Sequence, residues 1–446
     1  MSKRFESKVI TDYEREPVPQ DKRKGWGKLS LVWIAGIVAL SAIVLGGTLG
    51  SGMTLSQSII ASLVGTFILA ILSAACSIVG AKTGLSTALV SSFALGKYGS
   101  YAVSAVIAIA LFGWFGVQLN LFSVSLQNVL NNTFSINIDP IYLVLLGGLA
   151  MSISAIIGYK AIEKLSMVAV PLLAILLVSS LVRVLNGTSM AEVAQAPLTS
   201  DPLSMGVAIS LIIGSLATGA IIGPDISRYA KSTKDAIISS FVGYFVGFSI
   251  VLIISSILAK ATTQVDIVQI MLTLGWGSGA LVILIIAQWT TNDNNLYSSA
   301  LGFSVIFRKV PKFYLSIAAG LIGTLLAVVG IYDSFIPFLS FLSVLIPPIG
   351  GIYVADFIIN RKNYAFEKLA NVKSANFLNI GIWVIASMVA FLTTPAPNGF
   401  GVFTLTGASG FDAFIVAFIL QIVASKMQGE NSLNTTPVTI KGEQAS

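Results

Sequence analysis

Along this chain apolar residues come in long blocks, separated by short clusters of Lys, Arg, Asn, Gly and Pro. A helix rises about 1.5 Å per residue and a membrane's hydrocarbon layer is about 30 Å thick, so a block of about 20 residues makes one crossing. The pattern predicts spans at 29–50, 56–80, 101–129, 141–158, 163–186 and 203–226, then at 236–259, 278–304, 313–332, 335–358, 375–394 and 410–426. The expected fold class is therefore an all-α membrane protein of twelve transmembrane helices occupying 29–426, with polar tails at 1–28 and 427–446.

Charge tests this count, because basic residues concentrate on the cytoplasmic side and one missed span would invert every later loop. With the N-terminus inside, the inner segments hold all but two of the 26 Lys and Arg residues, the exceptions being Arg183 and Lys260. The net charge of +7 then follows from orientation, and no nucleic-acid partner is expected. Both tails are assigned to the cytoplasm and the protein to the cell membrane. Residues 1–28 are too polar for a secretory signal, and the last segment carries no anchor motif.

Composition narrows the chemistry. Charged residues make up 10% of the chain, against about 25% in an ordinary soluble domain. Histidine is absent and Cys76 is the one cysteine, so disulfides, serine-histidine triads and the usual zinc sites are unavailable. No enzyme activity, cofactor or obligate protein partner is expected.

Glycines punctuate two spans in particular. The first carries Gly36, Gly46 and Gly47, and the sixth carries Gly214, Ser215, Gly219, Gly223 and Pro224. These segments open two five-span units, at about 29–186 and 203–358, with 375–426 left over. Five being odd, the units run in opposite directions, the inverted-repeat arrangement in which broken helices build a site at mid-membrane. Gly46 and Gly47 read as close helix packing. Gly214 and Ser215 read as the functional break of the sixth span.

Polar side chains inside a span are costly unless they serve a purpose. Six follow one another in the eighth, from Thr290 through Thr291, Asn292, Asp293 and Asn294 to Asn295. They cannot all face lipid or a dry core, so some must meet water, substrate or an ion. In the third span Trp114 and Gln118 are four residues apart on one helical face, pairing a flat aromatic surface with an amide that both donates and accepts. That pair suits a planar heteroaromatic ring. Asp225 and Asp356, near the inner ends of their spans, read as helix-end hydrogen bonds or ion pairs.

Six motifs in order resemble bacterial cytosine permeases of the nucleobase:cation symporter-1 family. They are Pro17-Val18-Pro19-Gln20 with Lys24-Gly25, Gly46-Gly47-Thr48-Leu49-Gly50, Gly80-Ala81-Lys82-Thr83-Gly84-Leu85, Gly113-Trp114-Phe115-Gly116, Trp289-Thr290-Thr291-Asn292-Asp293-Asn294 and Ile346-Pro347-Pro348-Ile349-Gly350-Gly351. The resemblance implies a five-plus-five inverted repeat with broken helices 1 and 6, two additional C-terminal helices, and cation-coupled alternating access. It implies sodium as the coupling ion, held by the carbonyls of Ala35, Val38 and Ala287 and the hydroxyls of Thr290 and Thr291. The base would lie against Trp114 and Asn292, with Gly214, Ser215, Leu216 and Thr218 from the sixth helix around it. Three positions depart from the cytosine pattern: Leu216 stands where a second stacking aromatic is expected, Leu111 replaces a glutamine, and Gln118 matches the related hydantoin transporters instead.

The reading is thus an importer of cytosine or a purine by sodium symport. A proton-coupled carrier of allantoin, hydantoin or a thiamine-precursor pyrimidine stays open, with Asp293 or Asp225 as the titrating group. A membrane sensor or membrane-embedded enzyme is the alternative of another class.

Overall fold

The computed structural model describes residues 13, 16–157, 159–264, 267–307 and 309–433. Most of the N-terminal tail, the C-terminal tail beyond 433, and the basic residues Lys3, Arg4, Lys8, Arg15, Arg308 and Lys441 lie outside the described residues, as do the side chains of Lys160 and Lys164.

Helices run through every predicted span. The first is two helices, α1 (Trp26–Ile37) and α2 (Leu40–Gly52), which meet at 65°. Then come α3 (Leu55–Thr83), α4 (Thr87–Phe134), α5 (Pro140–Ile157) and α6 (Tyr159–Gly187), with a short surface helix α7 (Met190–Gln195). The sixth span is α8 (Met205–Ile221) with α9 (Gly223–Ser227), and the seventh joins α10 (Thr233–Ser240) to α11 (Phe248–Thr262) through a π-helical stretch. After α12 (Ile267–Thr273) come α13 (Gly277–Ile306), α14 (Lys312–Val328), α15 (Phe335–Leu345) with α16 (Pro347–Asn360), α17 (Phe377–Thr393) and α18 (Ser409–Leu433). Six of these spans are long and apolar enough to cross a membrane alone, and the bent α1–α2 pair makes a seventh. Four shorter apolar helices, together with α8's extension α9 and the long but polar-interrupted α13, complete the twelve.

The two breaks arise differently. At the first, no glycine or proline occupies the corner: Val38 (φ −74°, ψ 78°) and Ala39 (φ −127°, ψ 158°) leave the helical region. The amide of Ala39 bonds Ile37 O at 2.8 Å and that of Ala42 bonds Ala39 O at 3.1 Å, so the carbonyls of Ala35 and Val38 lose their helical partners. In the sixth span the helix passes unbroken through Gly214 and Ser215 and stops at Ile222 (φ −80°, ψ 16°), ahead of Gly223-Pro224. This corrects the sequence reading by about two turns. Proline stops a helix because it lacks an N–H and its ring crowds the preceding turn. Gly214 serves contact instead: a Cβ there would come within 2.0 Å of Leu339 O in α15.

Glycine also brings α2 onto α11. A Cβ on Gly46 would meet Ser255 Cβ at 2.6 Å, and Ser256 Oγ donates to Gly46 O at 2.8 Å. That is the packing role assigned to Gly46 above. The third span differs from the prediction by starting early: residues 87–95 form a short helix turned into the long one at Gly96, whose φ of 80° is open to glycine and strained for other residues.

Candidate functional site

A cavity of about 160 Å³ lies where the α1–α2 break meets α4, α8, α11 and α13. Its apolar wall comprises Ile37, Leu111, Trp114, Leu216, Ile222 and Phe248, and its polar wall Ser41, Gln118, Ser215, Thr218, Thr291 and Asn295. No charged side chain lines it.

Trp114 is set by its neighbours. Gly113 leaves room for Phe338, whose Cε2 would stand 2.4 Å from a Cβ there. Phe338 then meets the indole at 5.4 Å and 75°, and Phe335 meets it at 6.3 Å and 76°. Such near-perpendicular contacts are favoured by aromatic quadrupoles and fix the ring's tilt. One turn on, Gln118 is 1% exposed; its Nε2 donates to Ser41 Oγ at 3.2 Å, just past the α1–α2 corner. Its Oε1 has no partner, and neither has the hydroxyl of Thr218, 5% exposed on α8. Buried polar atoms are nearly always hydrogen-bonded, and leaving one unpaired costs about 1–3 kcal/mol. Two such atoms flank one cavity. Ser215, by contrast, donates back to Ile212 O at 2.8 Å.

The polar run of α13 divides between two tasks. Thr291 and Asn295, one turn apart, face the cavity. Asn292, expected against the base, does not line it: it is fully buried, its Nδ2 donating to Phe115 O at 3.1 Å and to Met151 Sδ at 3.3 Å, while its Oδ1 has no partner. Asp293 accepts from Ser154 Oγ at 2.7 Å, and Trp289 Nε1 donates to the same hydroxyl at 3.0 Å, tying α13 to α5. Gly214 likewise stands outside the lining, against Leu339. Asn295 was missed, although its i+4 spacing from Thr291 is visible in the sequence.

The expected sodium ligands lie on two elements. On α13 the hydroxyls of Thr290 and Thr291 both donate to Ala287 O at 2.9 Å, which gathers three oxygens within one turn. At the α1–α2 corner the carbonyls of Ala35 and Val38 are those released by the break. Each hydroxyl keeps lone pairs when it donates, so neutral oxygens of the kind that suit a hard monovalent cation are present on both elements. Gly36, Ile37, Ala39 and Thr291 share the cavity wall, whereas Ala35, Val38, Ala287 and Thr290 do not line it.

The acidic residues nearest the inner ends have local partners. Asp225 Oδ1 accepts from the amide of Thr87 at 2.8 Å, at the start of α4. Asp356 accepts from Tyr364 OH at 2.6 Å and Asn360 Nδ2 at 2.9 Å. Neither lines the cavity.

A bundle of twelve spans whose first and sixth are broken around a small cavity without charged lining defines a secondary transporter. Residues 17–409 match the family described as permeases for cytosine/purines, uracil, thiamine and allantoin, and the chain belongs to that family. It is 33% identical over 369 residues to the cytosine permease of Escherichia coli strain K12, covering 83% of this chain and 86% of that one. Among solved structures, Mhp1 in an inward-facing conformation superposes with a TM-score of 0.81 at 20% identity, over 96% of both chains. Mhp1 closed on bound bromovinylhydantoin, a member of the nucleobase-cation-symport-1 family, gives 0.75 at 20% identity, over 94% of this chain and 96% of that one. The protein is a multi-pass membrane permease and not an enzyme.

Proposed function

We propose that this permease imports a nucleobase, cytosine or a purine, by symport with sodium through alternating access. The observation that carries the reading is the pair of unpartnered polar groups, Gln118 Oε1 and the Thr218 hydroxyl, beside Trp114 in a cavity without charge. A neutral ring with N–H donors at its edge satisfies the carbonyl and presents its face to the indole. A charged substrate would enter with no counter-ion on the wall, at a cost of several kcal/mol. A cavity of about 160 Å³ has room for one small heterocycle.

Sodium is favoured over a proton by what the break releases. The Ala35 and Val38 carbonyls with Ala287, Thr290 and Thr291 make an all-oxygen, uncharged donor set, while Asp293 is turned toward Ser154. The relatives named cytosine permease and nucleobase-cation-symport-1 transporter support a nucleobase carried with a cation. Bound sodium favours one arrangement of the broken helices, and a ligand shifts such an equilibrium only by its differential affinity for the two states. Domain limits follow the same scheme, with repeats at about 29–186 and 203–358, additional helices at 375–426, and both tails in the cytoplasm of a cell membrane.

The test is uptake of labelled cytosine into proteoliposomes of the purified chain, with and without an inward sodium gradient, in competition with adenine, guanine, hypoxanthine, uracil and allantoin. Sodium-driven uptake in which one base competes best supports the proposal. Uptake that follows a proton gradient alone overturns the sodium assignment, and absence of competition by any base overturns the substrate.

A further inference from the structure

The two basic residues that break the charge asymmetry, Arg183 and Lys260, end α6 and α11 at the same corner of the molecule. Beside Arg183 opens a second cavity, of about 330 Å³ and separate from the one described above; its wall includes Arg183, Thr188, Thr262, Thr273 and Gly275. Its chemistry is one-sided. The guanidinium of Arg183 lies over the Trp276 ring at 5.3 Å, and no acidic side chain pairs with it among the described residues. Gly275, at φ 71°, brings its backbone so close that a Cβ would stand 3.1 Å from the guanidinium. Among the described residues no carboxylate lines the cavity. Lys260 is 3% exposed, its ammonium donating to Ala196 O at 3.4 Å. The guanidinium of Arg183 thus shares the cavity wall with the hydroxyl-bearing Thr188 and Thr273, donors that suit an anion with several acceptor oxygens, as guanidinium holds phosphate.

The surroundings decide which anion. Along α6, on both sides of Arg183 in the chain, Ile175, Val178, Val182 and Leu185 are 62%, 52%, 52% and 43% exposed, an apolar stripe at helical spacing suited to hydrocarbon. An occupant carrying acyl chains covers stripe and cavity together. We propose that this corner binds an anionic phospholipid, its phosphate on Arg183 and the cavity's hydroxyls, its chains along α6. By the orientation proposed above the site lies in the outer leaflet, and the lipid holds the ends of α6 and α11 together beside the loop that leads into α13.

Native mass spectrometry of the full chain in detergent, titrated separately with phosphatidylglycerol, phosphatidylcholine and inorganic phosphate, tests this. One phosphatidylglycerol should bind more tightly than phosphatidylcholine, whose net charge is zero. Arg183→Gln should weaken that binding about fivefold, the worth of about one basic residue against an anionic lipid. Arg183→Lys should fall between, keeping charge and losing the fork. Thr273→Val supplies a second, milder variant should Arg183→Gln fail to fold, and it should lower affinity as well. Unchanged lipid affinity in the variants that fold overturns the site. Displacement of the lipid by inorganic phosphate at equal concentration shows a free-anion site and overturns the lipid. Binding in detergent does not depend on which face Arg183 occupies, so this result fails or stands apart from the orientation.

Discussion

Replacing Gln118 with Leu separates affinity from stability, because the two respond with opposite sign. In the empty protein Gln118 carries one hydrogen bond, to Ser41 at 3.2 Å, and one buried carbonyl oxygen without a partner. Removing the bond costs about 1 kcal/mol, and removing the orphaned acceptor returns about 1–3 kcal/mol. The fold should therefore be unchanged or more stable by up to about 2 kcal/mol. With substrate bound the balance reverses, since the carbonyl is the group that accepts from the ring, and losing that bond should cost about 1–3 kcal/mol, or about 5- to 150-fold in affinity. Thermal melting of the purified variant together with the concentration dependence of cytosine uptake reads both quantities. A variant that melts no lower than wild type and binds weakly supports the reasoning. Unaltered uptake affinity would show that Gln118 does not face the substrate, and a parallel fall in melting temperature and uptake would make it a structural residue only.

Other substitutions divide the polar run of α13 by task. Asn292→Ala removes the bond to Phe115 O together with an unpartnered buried Oδ1, two effects of opposite sign, so stability should change by no more than about 2 kcal/mol while the substrate concentration dependence of the folded fraction stays in place. Asn295→Ala should weaken substrate affinity with little change in melting; the reverse pattern in this pair would place the substrate on the other face of α13. Thr291→Ala should raise the sodium concentration needed for half-maximal uptake several-fold, and an unaltered sodium dependence would remove its hydroxyl from the ion site. Gly214→Ala places a Cβ 2.0 Å from Leu339 O, so overpacking should cost about 1–3 kcal/mol in thermal or denaturant stability. A variant as stable as wild type would restore the sequence reading of Gly214 as a flexible break.

The spans were legible because hydrocarbon imposes one length on them and the basic residues mark one side. What was not legible is where a span bends. The first span's corner falls at Val38-Ala39, between residues that give no local sign of it, and glycine content pointed elsewhere. In the sixth span Gly214 drew attention, yet its role is to admit the backbone of α15, and the stop at Ile222 follows from the proline two residues later. A glycine reports close approach or unusual backbone, and sequence alone does not say which. Proline has the more certain consequence, because its missing donor removes a helical bond wherever it stands inside a helix.

The same ambiguity governs the site. Trp114 and Gln118 could be paired from spacing alone because one continuous helix carries both. Thr291 and Asn295 obey the same i+4 relation, but in a run of six polar residues every register looks equally polar, and only the packing of α13 on α4 and α5 shows that Asn292 and Asp293 point inward to Phe115 and Ser154. Those two residues use the polar run to join helices, and the cavity receives what they leave over. Among the residues that line the cavity, two polar atoms are left unsatisfied by the fold. Gln118 Oε1 and the Thr218 hydroxyl are costly in the empty protein and have no structural compensation among the described residues. A substrate that pairs with both removes that cost on entering, so part of its binding energy is already stored in the unpartnered groups. The same groups resist an apolar ring of equal size, which would fill the cavity and keep both atoms from water. Selectivity for a hydrogen-bonding heterocycle follows from those two atoms even with Leu216 in place of a second stacking wall.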